Sequence, residues 1–190
     1  GLLEVNQTER NDFYRFEGNA QAFRLLTRLQ NRDNSGGLQL SLPVLASLIK
    51  YPCNSNFSAC NNIAYKKFNY FQAERELFAE FANEAALLPY KREEGAWHRH
   101  PLAYLLEAAD DICYSLVDIE DAYRLKLLKG DEVIDFYRNI ADHHGGLPRR
   151  FAKIAREKDQ IEYLRAITIG YLVDEVMALF IKHERALLAG

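Results

Sequence analysis

The chain has 190 residues, 48% of them hydrophobic, with 24 basic against 27 acidic side chains and a net charge of −3. That length fits one domain or a large part of one, with enough apolar material to bury a core. The charge balance gives no case for nucleic-acid binding, no apolar run approaches the ~20 residues that span a membrane, and no secretory signal is visible.

The pattern along the chain is helical throughout, so an all-α fold is expected. Residues 17–31 place Phe23, Leu26 and Leu29 at core spacing for a helix. Asn31 to Gly37 is rich in turn residues. A short helix is predicted over 41–50, with Ser41 as N-cap, Pro43 near its start and Pro52 ending it. Residues 53–67 read as irregular. A strong helix follows over 69–87, carrying Phe71, Leu77, Phe78 and Phe81. A loop around Pro89 and Gly95 leads to a helix over 101–128, opened by Pro101, whose missing N–H suits a first turn. A short helix runs from Asp131 to about residue 141, and His143 to Pro148 form a loop. One long helix over 159–188 has Ile161, Leu164, Ile167, Ile169, Leu172, Val176, Leu179 and Phe180 at core spacing, and its length and apolarity also suit a subunit interface in a homo-oligomer. Cys53, Cys60 and Cys113 are odd in number and lack zinc-pair spacing, so reduced thiols in a cytoplasm are expected.

The helix over 101–128 carries a line of acids. With Asp110 at zero, Tyr114 falls at about 40°, Asp118 at about 80°, Glu107 at about 60° and Asp121 at about 20°. Leu105, Ala109, Ile112, Cys113, Leu116 and Ile119 take the opposite arc. Asp110, Tyr114 and Asp118 thus form a ladder with rungs about 6 Å apart, able to hold a metal, a sugar ring and a sugar hydroxyl in sequence. The same pattern also describes an ordinary amphipathic surface helix. Glu120 breaks that simpler reading, because it falls within the apolar arc.

The string Glu-Ala-Ala-Asp-Asp-Ile-Cys-Tyr at 107–114, with Asp-Ile-Glu-Asp-Ala at 118–122, resembles the deoxyguanosine triphosphate triphosphohydrolases, a family of HD-domain metal phosphohydrolases. Three further segments agree in order: Phe16-Glu-Gly-Asn-Ala-Gln21 with Phe23-Arg24; Gly37-Leu-Gln-Leu with Leu45 to Pro52; and Lys66-Lys67 with Tyr70-Phe71 and Glu74 to Phe78. The resemblance implies hydrolysis of dGTP to deoxyguanosine and tripolyphosphate. It assigns Asp110 as ligand of a divalent metal, Mg²⁺ or Mn²⁺ or another transition metal, with Asp111 the competing choice. Tyr114 would lie under the deoxyribose, where a 2′-hydroxyl would collide with its ring, and Asp118 would accept from the 3′-hydroxyl. Lys50, Tyr51 and one of Lys66 and Lys67, here taken as Lys67, would hold the phosphates, with Asn19 near the site.

The family's early His and its His-Asp dipeptide have no counterpart, since none of the five histidines is followed by Asp. Residues 1–190 are therefore expected to be one helical region, the middle and C-terminal-side part of a longer enzyme, inactive alone. His98, His100, His143 and His144 read as loop and cap residues. Two alternatives stay open: a phosphohydrolase acting on several deoxynucleotides or another phosphate ester, and a non-catalytic helical oligomerisation or regulatory module.

Overall fold

The computed structural model describes residues 5–31, 33, 35–57, 62–91 and 95–189. Cys60 lies outside them, as do parts of the loops expected at 31–37, 53–67 and 88–99. The described residues form helices and no strand; bridges pair Cys53 with Ala96, Asn54 with Tyr70 and Pro89 with Trp97. The all-α expectation holds. The chain divides into two compact units, Gly1–Leu106 with Ala186–Gly190, and Glu107–Arg185.

The first unit begins with α1 (Gln7–Tyr14), absent from the predicted elements because its sequence has no apolar period. A capping box defines it: Asn6 Oδ1 accepts from the Glu9 N–H at 2.9 Å, and Glu9 Oε2 accepts from the Asn6 N–H at 2.8 Å. Buried Asp12 ties α1 down, accepting from Ser55 Oγ at 2.5 Å and from the Gln72 N–H at 2.7 Å. The helix expected over 17–31 is α2 (Gly18–Arg24) continued by a π turn, Leu25–Leu29. Beside it, Gly37 has φ +64°, and a Cβ there would stand 2.3 Å from the Leu26 carbonyl oxygen, so only glycine fits. Arg24 meets buried Glu74 through two bonds, of 3.1 and 2.8 Å, while its guanidinium lies 4.4 Å from the Phe71 ring centre.

Three predicted helices are shorter than expected, among them the one over 101–128, which ends at Arg124. α3 (Leu42–Ser47) stops well before Pro52, because the backbone around residue 50 bonds elsewhere. The helix expected over 69–87 is a 3₁₀ turn, Gln72–Glu74, followed by α4 (Arg75–Glu84), since Tyr70 is bridged to Asn54 and the Gln72 N–H is taken by Asp12. One core cluster joins Phe23, Leu45, Ile49, Tyr70, Phe78 and Phe81, with Phe78 4.2 Å from the Tyr70 ring and 5.0 Å from the Phe23 ring. A second joins Cys53, Phe57, Tyr65, Phe68 and Phe71.

The second unit is built from α5 (Pro101–Arg124, from Glu107 onward), α6 (Gly130–His143) and α7 (Glu157–Ala189, up to Arg185). His143 closes α6 rather than opening the loop. Leu116 of α5, Val133 and Tyr137 of α6, and Ile161 and Leu164 of α7 form its core, flanked by Ile112, Ile119 and Leu172. The core line on α5 is narrower than the predicted arc. Cys113, at the rim of that arc, is exposed, and so is Ala109, about 20° from Leu116 around the helix. Glu120 is 6% exposed. It is held by Arg165 from α7, and by Arg124 one turn along its own helix at 2.5 Å. Burying this carboxylate is tolerable because it is met by opposite charge.

The two cations should differ in weight. Arg165 crosses between helices and is 34% exposed, whereas Arg124 is 61% exposed. Arg165→Ala should cost about 2–4 kcal/mol, approaching the loss for breaking a buried pair. Arg124→Ala should cost under about 1 kcal/mol, as for a solvated i,i+4 pair. Urea midpoints of the two variants check this, and equal shifts would show that Arg165 is not the main partner.

Candidate active site

The first unit gathers Asn19, Tyr51 and Lys67, with Lys50 adjoining. The link is Asn69, 2% exposed. Its Oδ1 accepts from the Tyr51 N–H at 2.7 Å, and its Nδ2 donates to the Asn19 carbonyl at 3.3 Å. Glu17 is the second link. Its Oε1 accepts from Asn19 Nδ2 at 2.7 Å and lies 3.5 Å from Lys67 Nζ. Lys67 Nζ is also 6.0 Å from the centre of the Tyr51 ring. Of the two lysines left open by sequence, Lys67 is the one making these contacts. The Lys50 carbonyl accepts from Arg99 Nε at 2.6 Å, and the Arg99 guanidinium lies 5.7 Å from the Tyr51 ring centre. Lys67 and Arg99 thus both stand at the Tyr51 ring, with Lys50 next to it in the chain.

The second unit carries the ladder on α5. Asp110 is half-buried, Tyr114 is 68% exposed and Asp118 is exposed, while Asp111 beside Asp110 is exposed. The ladder side chains therefore lie on the side away from Ile112, Leu116 and Ile119, as the helical spacing predicts. Two cavities lie elsewhere: one of about 200 Å³ among Phe13, Phe16, Arg24 and Phe71, and one of about 450 Å³ among Phe136, His143, His144 and Leu172. Neither is lined by a predicted site residue.

No protein-family profile matches the chain. Individual relatives do. A deoxyguanosinetriphosphate triphosphohydrolase-like protein of Synechocystis is 42% identical over 196 residues, covering 98% of this chain and 42% of that protein. One of Pseudomonas aeruginosa is 35% identical over 201 residues, covering 100% of this chain and 42% of its own length. The chain belongs to the deoxyguanosinetriphosphate triphosphohydrolase-like family. A Yersinia enterocolitica protein named as the triphosphohydrolase itself is 28% identical over 199 residues, 95% of this chain and 37% of that protein. The chain spans 42% of the length of the first two relatives.

Family resemblance implies a divalent metal at Asp110. Among the described residues no group of three or more His, Cys, Asp or Glu side chains could hold a metal ion. One half-buried carboxylate leaves most positions around Mg²⁺ or Mn²⁺ to water, so these residues do not by themselves fit a resident metal. Three residues that link the candidate residues of the first unit have no place in the sequence reading: Glu17, Asn69 and Arg99. Glu17 is legible in retrospect as the N-cap of α2. Asn69 and Arg99 give no local signal, since their partners lie 18 and 49 residues away.

The thiols divide sharply. Cys53 is buried beneath the site, donates to the Lys67 carbonyl at 3.2 Å, and burial pushes its pKa up to about 12. Cys113 is exposed next to Tyr114. A disulfide-exchange reagent at pH 8 should modify Cys113 in the native protein and leave Cys53 intact until unfolding, as peptide mapping would show. A folded thiol titrating near 12 against an ordinary 9.0 also means that the stability contributed by this group is full below about pH 9 and is lost as pH rises from there toward about 12. Rapid native labelling of Cys53 would contradict its placement.

Proposed function

We propose that this chain is part of a deoxynucleoside triphosphate triphosphohydrolase acting on dGTP. The observation that carries the reading is 42% identity to a dGTPase-like relative over 98% of the chain. The gathering of Asn19, Tyr51 and Lys67 through Glu17 and Asn69 supports it. In the proposed reaction, water adds to the α-phosphorus and the bond from phosphorus to the 5′-oxygen breaks. The proton goes to that oxygen, leaving deoxyguanosine and intact tripolyphosphate.

Each part of the chain has its own proposed task. A nucleoside triphosphate brings about four negative charges, which Lys50 and Lys67 would neutralise, with Tyr51 donating from its hydroxyl. The exposed ring of Tyr114 would meet the sugar where a ribonucleotide has its extra oxygen. Asp118 would accept from the 3′-hydroxyl. Asp110 is the proposed single contribution of this chain to a bound divalent ion, which when present would polarise a phosphoryl oxygen.

A second reading is a broader deoxynucleotide range. It is favoured by the relatives' names: those at 42% and 35% identity carry the suffix "-like", and the one named as the enzyme itself matches at 28%. Turnover of a panel of deoxynucleoside and ribonucleoside triphosphates by the full-length protein, with phosphorus NMR of the products, tests both readings. Release of intact tripolyphosphate from dGTP alone supports the first, and release from several deoxynucleotides supports the second. Stepwise release of orthophosphate would sink both.

The Asp110–Asp111 choice has a direct readout. In the full-length protein, Asp110→Ala should abolish bound metal, measured by plasma mass spectrometry, together with activity, while Asp111→Ala should retain metal. The reverse pattern would move the ligand to Asp111.

Sugar reading separates in the same way. Tyr114→Ala should admit GTP, narrowing the dGTP/GTP ratio of kcat/KM. Asp118→Ala should lower kcat/KM for dGTP by about one to two decades, the worth of a charged hydrogen bond of about 1.5–3 kcal/mol. The 3′-deoxy analogue should be indifferent to Asp118→Ala. An equal loss with both substrates would mean that Asp118 does not touch the 3′-hydroxyl, and an unchanged dGTP/GTP ratio would make Tyr114 a bystander.

A further inference from the structure

We propose that Arg99 is a positioning residue that presets the Lys50–Tyr51 turn for binding the substrate's phosphates. The inference rests on the phosphate-binding role proposed above for that turn. Its basis is one peptide group. The carbonyl of Lys50 and the N–H of Tyr51 belong to the same planar unit. Arg99 Nε donates to its oxygen at 2.6 Å, and Asn69 Oδ1 accepts from its N–H at 2.7 Å. A plane held at both poles fixes ψ of Lys50 and φ of Tyr51. Those two angles set the directions in which the two side chains leave the backbone. The turn is not fixed by α3, which ends at Ser47.

Arg99 suits this task for physical reasons. It is 8% exposed, so its cation has left water and is held by what surrounds it. Its guanidinium lies 5.7 Å from the Tyr51 ring centre and 5.6 Å from that of Tyr104. A flat guanidinium can face an aromatic ring while its Nε bonds in plane to a carbonyl, whereas a lysine ammonium cannot do both. Arg99 therefore grips Lys50 through its backbone and Tyr51 through its ring. Its charge adds to the field of Lys50 and Lys67 without direct contact with the phosphates.

The test uses the full-length protein, with inorganic tripolyphosphate as a probe of the phosphate site. Binding is measured by calorimetry and compared with KM for dGTP. Arg99→Gln should weaken tripolyphosphate about tenfold or more and raise KM by a similar factor. Arg99→Lys, which keeps the charge, should recover only part of the loss. In a Lys50→Ala/Tyr51→Phe background the effect of Arg99→Gln should shrink to about threefold or less, because both side chains that it positions have lost their phosphate contacts and only its charge remains. A merely structural role would give the same fold-loss in both backgrounds. Equal losses, or wild-type affinity in Arg99→Gln, would overturn the inference. If Arg99→Gln fails to fold, Arg99→Lys carries the decision, and wild-type affinity there overturns it too. A wild-type protein that does not bind tripolyphosphate also overturns it. Arg99-dependent tripolyphosphate binding without turnover of any nucleotide would uphold this inference and sink the proposed function. Turnover of dGTP with KM untouched by Arg99→Gln would do the opposite.

Discussion

Charge removed from water has to be met by an opposite pole, and four side chains impose that condition on this fold. Asp12, Glu74, Arg99 and Glu120 are all buried. Each is answered by a group distant in sequence or on another helix. Asp12 joins α1 to Ser55 and Gln72. Glu74 joins α2 to the start of α4 through Arg24. Arg99 reaches back to Lys50. Glu120 holds α5 to α7 through Arg165. Such contacts add little net stability compared with apolar replacements, yet leaving one partner alone is costly. Their value lies in excluding alternatives: an aromatic core can repack, but a buried carboxylate accepts few arrangements.

What the sequence disclosed follows from the range of each signal. α5, α6 and α7 are legible because Pro101 and the apolar period act within a few residues. α1 is not, because a capping box rather than a hydrophobic stripe makes it. α3 is shorter than its pattern because Arg99 and Asn69 claim the backbone at residues 50 and 51, tertiary contacts overriding local preference. The ladder was legible from spacing, but Cys113 was placed on the wrong side of the rim. Glu120, the residue that spoiled the two-faced pattern, proved to be the informative one. That Lys67 neighbours Glu17 and Tyr51 is a matter of tertiary contact, which no local pattern announces.

The two units also differ in how they present chemistry. In the first unit the candidate residues are interlocked, so Asn19, Tyr51 and Lys67 share partners and a change at Asn69 or Glu17 is felt by more than one of them. In the second unit the candidates stand in a row on one helix, spaced by the helical repeat. Coupling between substitutions is accordingly expected within the first set.

The burial of Glu120 bears on that row from the opposite side. Asp118 and Glu120 are two residues apart, about 200° around the helix. Leucine and isoleucine contacts let a helix roll about its axis at small cost, since one apolar surface replaces another. An ion pair to a neighbouring helix does not. Arg165 and Glu120 therefore index the azimuth of α5, and with it the bearing of Asp110, Tyr114 and Asp118. The aim of the ladder is set by a residue that faces away from it.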